Sequence, residues 1–125
     1  MNLFNYKDLI DGNTMHIATT RPDNNPNLSI ASDVRVVEEN KIIISHNEMV
    51  NTPINVKKNR EIVLTSFDKE FVGVRLFGVA DYYTSGEYFD FCKKTFFGNG
   101  EVSPFGATEP KGAIAVTVIE VEDIK

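Results

Sequence analysis

Positive charge is scarce in this sequence. Thirteen Lys and Arg stand against 18 Asp and Glu, for a formal net charge of −5. A generic nucleic-acid binder carries a basic face, and a membrane-surface helix is basic too, so neither role is expected. No apolar run approaches the length needed to span a bilayer as a helix. The first residues, "MNLFNYKDLIDGN", carry acids where a secretion signal has an apolar core. Cys92 is the single cysteine, which excludes an internal disulfide framework. The expected compartment is the cytoplasm. His16 and His46 are the only histidines, and no His or Cys pair has zinc-site spacing, so no metal is expected. Cys92 sits between aromatics on an amphipathic stretch and reads as a packing cysteine. Gly-x-Ser-x-Gly elbows, Walker loops and dinucleotide fingerprints are all missing. If such a chain is an enzyme, a cofactor carries its chemistry.

What is present is a strand-rich chain of single-domain length, 125 residues, without repeats or long linkers. "NYKDLIDGN" predicts a short helix with Leu3, Tyr6 and Ile10 on one face and Gly12 at its end. "TMHIATT" alternates as a strand does, and "RPDNNPN" is a turn. "LSIASDVRVVEE" is one bent strand or two short ones, followed by "KIIISH", "EIVLTSF" and the long "FVGVRLFGVADYYT". Gly73 and Gly78 mark bends or bulges in the last of these. Ser85 caps a helix, "GEYFDFCKKTFF", that ends at Gly98 and buries Phe89, Cys92 and Phe96. The loop "GNGEVSPFGATEPKG" leads to a final strand, "AIAVTVIEVE". Six or seven strands with two or three helices predict an antiparallel barrel. Arg75, inside an apolar strand, needs a partner: an acid such as Asp81, or a second chain.

"VNTPINVKKN" is the most informative stretch. Thr52 can cap a first turn, Pro53 suits the first helical position, and Asn59 can end the helix in the left-handed conformation. So short a helix does not stabilise itself. Either it plugs a barrel end, or its free N–H groups hold an anion. Asn51, Thr52, Ser29, Ser32, Ser45 and His46 add polar groups suited to a phosphate, although Thr52 serves equally well as a cap alone. Phe97 and Phe105 flank the glycine-rich loop and fit either a core or a ligand cover.

The ordered set "IATTRPDNNPNLSIAS", "NKIIISH", "NTPINVKKNREIVLTSFD" and "VRLFGVADYY", with its Gly78-x-Ala80 step, resembles the FMN-binding split-barrel family. This is the pyridoxamine 5′-phosphate oxidase-like group, in particular its small single-domain flavoproteins. The resemblance runs from about Met15 to the C-terminus. It implies a mainly β fold, a six-stranded antiparallel split barrel of Greek-key type with short helices, over residues 1–125. It also implies FMN at the interface of a homodimer. Carried over by position, Ser29, Ile30, Ala31 and Ser32 run beside the flavin, with Ile43, Ile44 and Ser45 along the ring. Met49, Val50, Asn51 and Thr52 hold the phosphate and ribityl chain, and Asn55 supports the helix start. Many members of the group have Arg or Lys where this chain has Asn51 and Thr52, so Arg35 or a basic residue of a partner chain is the expected compensation. The function implied is an FMN-dependent oxidoreductase or electron carrier. The alternatives are a non-catalytic flavin-binding or sensing protein, and a split barrel that takes haem or a deazaflavin.

Overall fold

Period-two alternation sets the strands. In the computed structural model, which describes residues 1–124, Met15, Ile17 and Thr19 of β1 (Met15–Thr20) point inward and are buried. Lys125, the last residue of the expected domain, lies outside the described residues. Six further strands follow: β2 (Pro26–Ala31), β3 (Val34–Glu38), β4 (Lys41–His46), β5 (Glu61–Phe67), β6 (Gly73–Tyr83) and β7 (Gly112–Ile124). They form one antiparallel sheet in the order β2-β1-β5-β6-β7-β4-β3. The "LSIASDVRVVEE" stretch is therefore two strands, broken at Ser32–Asp33 and lying at opposite edges of the sheet. Those edges do not pair with each other, so the barrel is split. The fold is the mainly β, antiparallel split-barrel class that the sequence predicts, with seven strands in the sheet.

The interior holds Leu3, Met15, Ile17, Ile42, Ile44, Leu64, Leu76 and Ile114, all at 0% exposure. β4 is buried on both faces, as a continuous apolar run requires. Ile42 and Ile44 point into the barrel, while Ile43 lies outside it with Cys92, Phe96, Ala113 and Ala115. A 3₁₀ turn (Leu3–Tyr6) running into α1 (Lys7–Ile10) inserts Leu3 and Ile10 into the main core, and Gly12, with φ of +71°, ends it. The β6–β7 pairing shifts register at Phe77/Gly78, where a Cβ on Gly78 would stand 2.4 Å from the Thr117 carbonyl oxygen. That bulge lets two strands of 11 and 13 residues wrap the barrel.

Three local expectations need correction. The helix α3 (Glu87–Phe97) is preceded by Gly86, with φ of +91°, and Ser85 makes no capping bond. Its packed stripe is Tyr88, Phe91, Cys92 and Phe96, whereas Phe89 lies outside that cluster beneath the Lys93 ammonium. Burial pushes the Cys92 thiol up to about 12, which makes it inert packing. Arg75 pairs with Glu122, directly opposite it on β7, while Asp81 takes both guanidinium bonds of Arg60 at 2.9 Å. Among the described residues no helix is long and apolar enough to cross a membrane.

Candidate functional site

The helix α2 (Asn51–Lys58) begins two residues earlier than its cap signals predict. Val50 occupies the N-cap position in a helical conformation, and no side chain caps the first turn. Pro53 is then the third helical residue, and Asn59 ends the helix extended, at φ of −133°. Thr52 is not a cap. It is 1% exposed, and its hydroxyl lies 2.6 Å from that of Ser29 on β2. Asn55, also 1% exposed, donates to the Thr19 hydroxyl at 3.0 Å and so ties α2 to β1. The first-turn amides of α2 therefore have no side-chain acceptor, while Lys57 and Lys58 stand at the opposite end. Uncapped amides at the positive end of a helix suit an anion.

Beside this helix start, where β2 gives way to β3, a cleft of about 320 Å³ opens at the split. One wall is Ile30, Ala31, Ser32 and Asp33; the other is Ser45, Asn47, Glu48 and Met49. The walls are joined by hydrogen bonds. The Asn47 side-chain NH₂ donates to the Asp33 carboxylate at 2.8 Å, the Ser45 hydroxyl donates to the Asn47 side-chain oxygen at 2.7 Å, and the Ser45 N–H donates to the Asp33 backbone carbonyl at 2.9 Å. Thr14, itself exposed, also lines the cleft, and Pro104 and Phe105 of the long loop stand at the rim. That loop is fastened down by the Ser103 hydroxyl, which donates to the Glu48 carboxylate and accepts from the Ala107 N–H at 2.9 Å. Phe105 remains 85% exposed.

His46 supports the segment that links the cleft to α2. Its Nε2 lies 2.6 Å from the Met49 carbonyl oxygen and its Nδ1 lies 2.6 Å from the Tyr82 hydroxyl. A carbonyl only accepts, so Nε2 carries the proton and Nδ1 accepts from Tyr82. Tyr82 reaches across because Gly112 has no side chain; a Cβ there would stand 2.4 Å from the hydroxyl. Burial lowers the His46 pKa, aided by the nearby charges of Lys111 and Lys57, against the carbonyl bond from Met49 and the Glu48 charge. Burial raises that of Tyr82.

The structure thus gathers Ile30, Ala31, Ser32, Ser45 and Met49 around one cleft, with Ser29 and Thr52 bonded to each other next to it. Val50 and Asn51 are exposed at the start of α2, and Asn55 is buried behind it. Ile43 lies under α3 and Ile44 in the barrel interior, neither lining the cleft. Arg35 points away as well, with its guanidinium 4.9 Å above the Phe96 ring and bonded to the Val34 carbonyl. Asp33, Asn47 and Glu48 were not singled out by the sequence reading. Their only signal is position: polar residues directly after a strand break and a strand end.

The sequence model of one family, pyridoxamine 5′-phosphate oxidase, matches residues 5–125. No curated protein matches the chain. Among solved structures, HupZ of Group A Streptococcus is similar at 26% identity and a TM-score of 0.85, over 98% of this chain and 94% of that one. An FMN-binding protein from Syntrophomonas wolfei subsp. wolfei shares 18% identity at a TM-score of 0.80, over 98% and 86% of the two chains. An F420 reductase shares 17% identity at a TM-score of 0.69, over 94% and 95%.

Two outcomes are expected from this geometry. Thr52→Val and Ser29→Ala should each destabilise the fold by about 1 kcal/mol. The double variant should cost less than the sum by about 0.5 kcal/mol or more, because both remove one bond; strict additivity in urea unfolding would refute the pairing. His46 is held below its ordinary pKa, so the unfolded chain binds its proton first as pH falls. Its contribution is full above about pH 6.5 and is lost as pH drops through the lower folded value. Urea midpoints measured from pH 7.5 downward should fall more steeply below about 6.5 for wild type than for His46→Gln.

Proposed function

The chain belongs to the pyridoxamine 5′-phosphate oxidase family, and from that premise we propose that it is a flavoprotein that binds FMN beside the start of α2 and acts as an oxidoreductase or electron carrier. The observation that carries this reading is the uncapped first turn of α2 next to the cleft at the split. The groups there suit FMN in kind: free N–H groups of α2 for a phosphate, and the apolar Ile30 and Met49 for a flat ring system. The FMN-binding protein of Syntrophomonas wolfei, with the same fold, supports flavin as the ligand class. When bound, FMN supplies hydride or single-electron transfer. The chain's own part is positioning. The α2 amides hold the phosphate, Ile30 and Met49 bound the ring, and the Ser103–Glu48 bond keeps the rim loop over the cleft. His46 fixes the Met49 carbonyl and with it the link to α2. A reducing cytoplasm suits the free thiol of Cys92.

The same reading includes a homodimer with the flavin shared between chains. Leu28 and Ile30 are 69% and 59% exposed. By register Leu28 heads an apolar row with Ala18, Val63 and Phe77 on the outer face, and Ile30 stands beside that row at the head of a second one with His16, Thr65 and Arg75. An apolar sheet face of this kind marks an interaction surface. Ile30 belongs both to it and to the cleft, so a second chain seated there would complete the site.

One experiment tests both parts. Apo-protein is titrated with FMN and with riboflavin at several protein concentrations, with sedimentation on the same samples. FMN should bind more tightly than riboflavin by about one to two decades, the worth of hydrogen bonds to a charged group. It should also shift the monomer–dimer equilibrium toward dimer by mass action. Equal affinity for the two ligands would remove the phosphate from α2. Undiminished FMN binding by a monomer would remove the shared site.

A further inference from the structure

The charged groups that line the cleft are both acids, Asp33 and Glu48. We infer that the molecule meeting this cleft as reaction partner is uncharged or cationic, and that phosphorylated or otherwise anionic partners are excluded. The inference deepens the functional reading above and rests on the cleft being the ligand site. It sets this chain apart from the phosphorylated substrate in its family's name.

Three observations carry it. First, neither carboxylate is free to swing away: Asp33 is held by the Asn47 amide at 2.8 Å and Glu48 by the Ser103 hydroxyl. A fixed charge on a partly enclosed wall acts on a ligand more strongly than a mobile surface charge, because less water screens it. Secondly, the nearby cations stand outside the cleft: Arg35 stacks on Phe96, Lys57 lies 4.6 Å above the Tyr82 ring, and Lys111 lies beside His46. No Lys or Arg is among the residues that line the cleft. Thirdly, Ile30, Ala31, Met49, Pro104 and Phe105 of the remaining lining are apolar, and its polar members, Thr14, Ser32, Ser45 and Asn47, are neutral, with the Ser45 and Asn47 donors already bonded to Asn47 and Asp33, so the lining offers an anion no compensating charge. The anion-compatible groups, the α2 amides, lie at the other end of the Met49–Asn51 segment. The site is therefore divided: one end suited to the phosphate of a resident cofactor, the other repelling a second phosphate.

Pyridoxamine and pyridoxamine 5′-phosphate are a matched probe pair, because they differ by the phosphate. Each is titrated into the protein as purified, with the backbone amide signals of Ser32 and Asn47 followed by NMR. Pyridoxamine should bind at least about tenfold more tightly, and added salt should narrow the difference. Glu48→Gln, which keeps a hydrogen-bond acceptor for Ser103, and Asp33→Asn should each reduce the preference by about threefold or more. The inference is overturned if the phosphorylated probe binds equally or more tightly, if neither probe moves the cleft signals, or if the preference survives unchanged in both variants. FMN uptake is measured separately on the same samples. A protein that takes up no FMN yet keeps the charge preference contradicts the flavin reading alone, and one that takes up FMN yet prefers the phosphorylated probe contradicts the charge selection alone.

Discussion

Asp33 is the residue on which the site depends. The barrel is split where β2 gives way to β3, and nothing in the sheet ladder joins those two edges. Asp33 lies in the break and binds the end of β4: its backbone carbonyl accepts the Ser45 N–H and its carboxylate accepts the Asn47 amide. These bonds fix the end of β4 against the strand break and so set the width of the cleft. From Asn47 the chain runs through Glu48 and Met49 into α2, and His46 anchors that run through the Met49 carbonyl. One polar cluster thereby positions both the cleft wall and the uncapped amides beside it. Removing a partner from it would leave buried polar groups unsatisfied, which costs more than the bond itself contributes.

The strands were legible because each carries its burial pattern in its own residues. Alternation marks β1 and β5, and the unbroken "KIIIS" run marks β4 as buried on both faces. The bulge at Gly78 was legible too, since only a residue without a Cβ fits against the Thr117 carbonyl. What failed were inferences that needed tertiary context. Thr52 has the chemistry of a cap, but its hydroxyl is drawn to Ser29, 23 residues away in sequence. Arg75 pairs with Glu122 because β6 and β7 register those two opposite each other, and register is not written in either strand alone. Phe89 fell out of the α3 stripe because the helix presents Tyr88 and Phe91 to the barrel instead. The cleft acids gave no periodic signal, since they sit at strand ends where polar residues are ordinary.

Two unlike ends meet in one proposed site: free amides that favour a phosphate, and fixed carboxylates that disfavour one. Family membership supplies the expectation of a flavin, and the local geometry states where its charged and uncharged parts would be tolerated. The absorption spectrum of freshly purified protein tests the central claim most directly, with the released ligand identified by mass after denaturation. The account predicts the two-banded visible spectrum of an oxidised flavin and release of FMN. A haem spectrum, or a released deazaflavin, would contradict it.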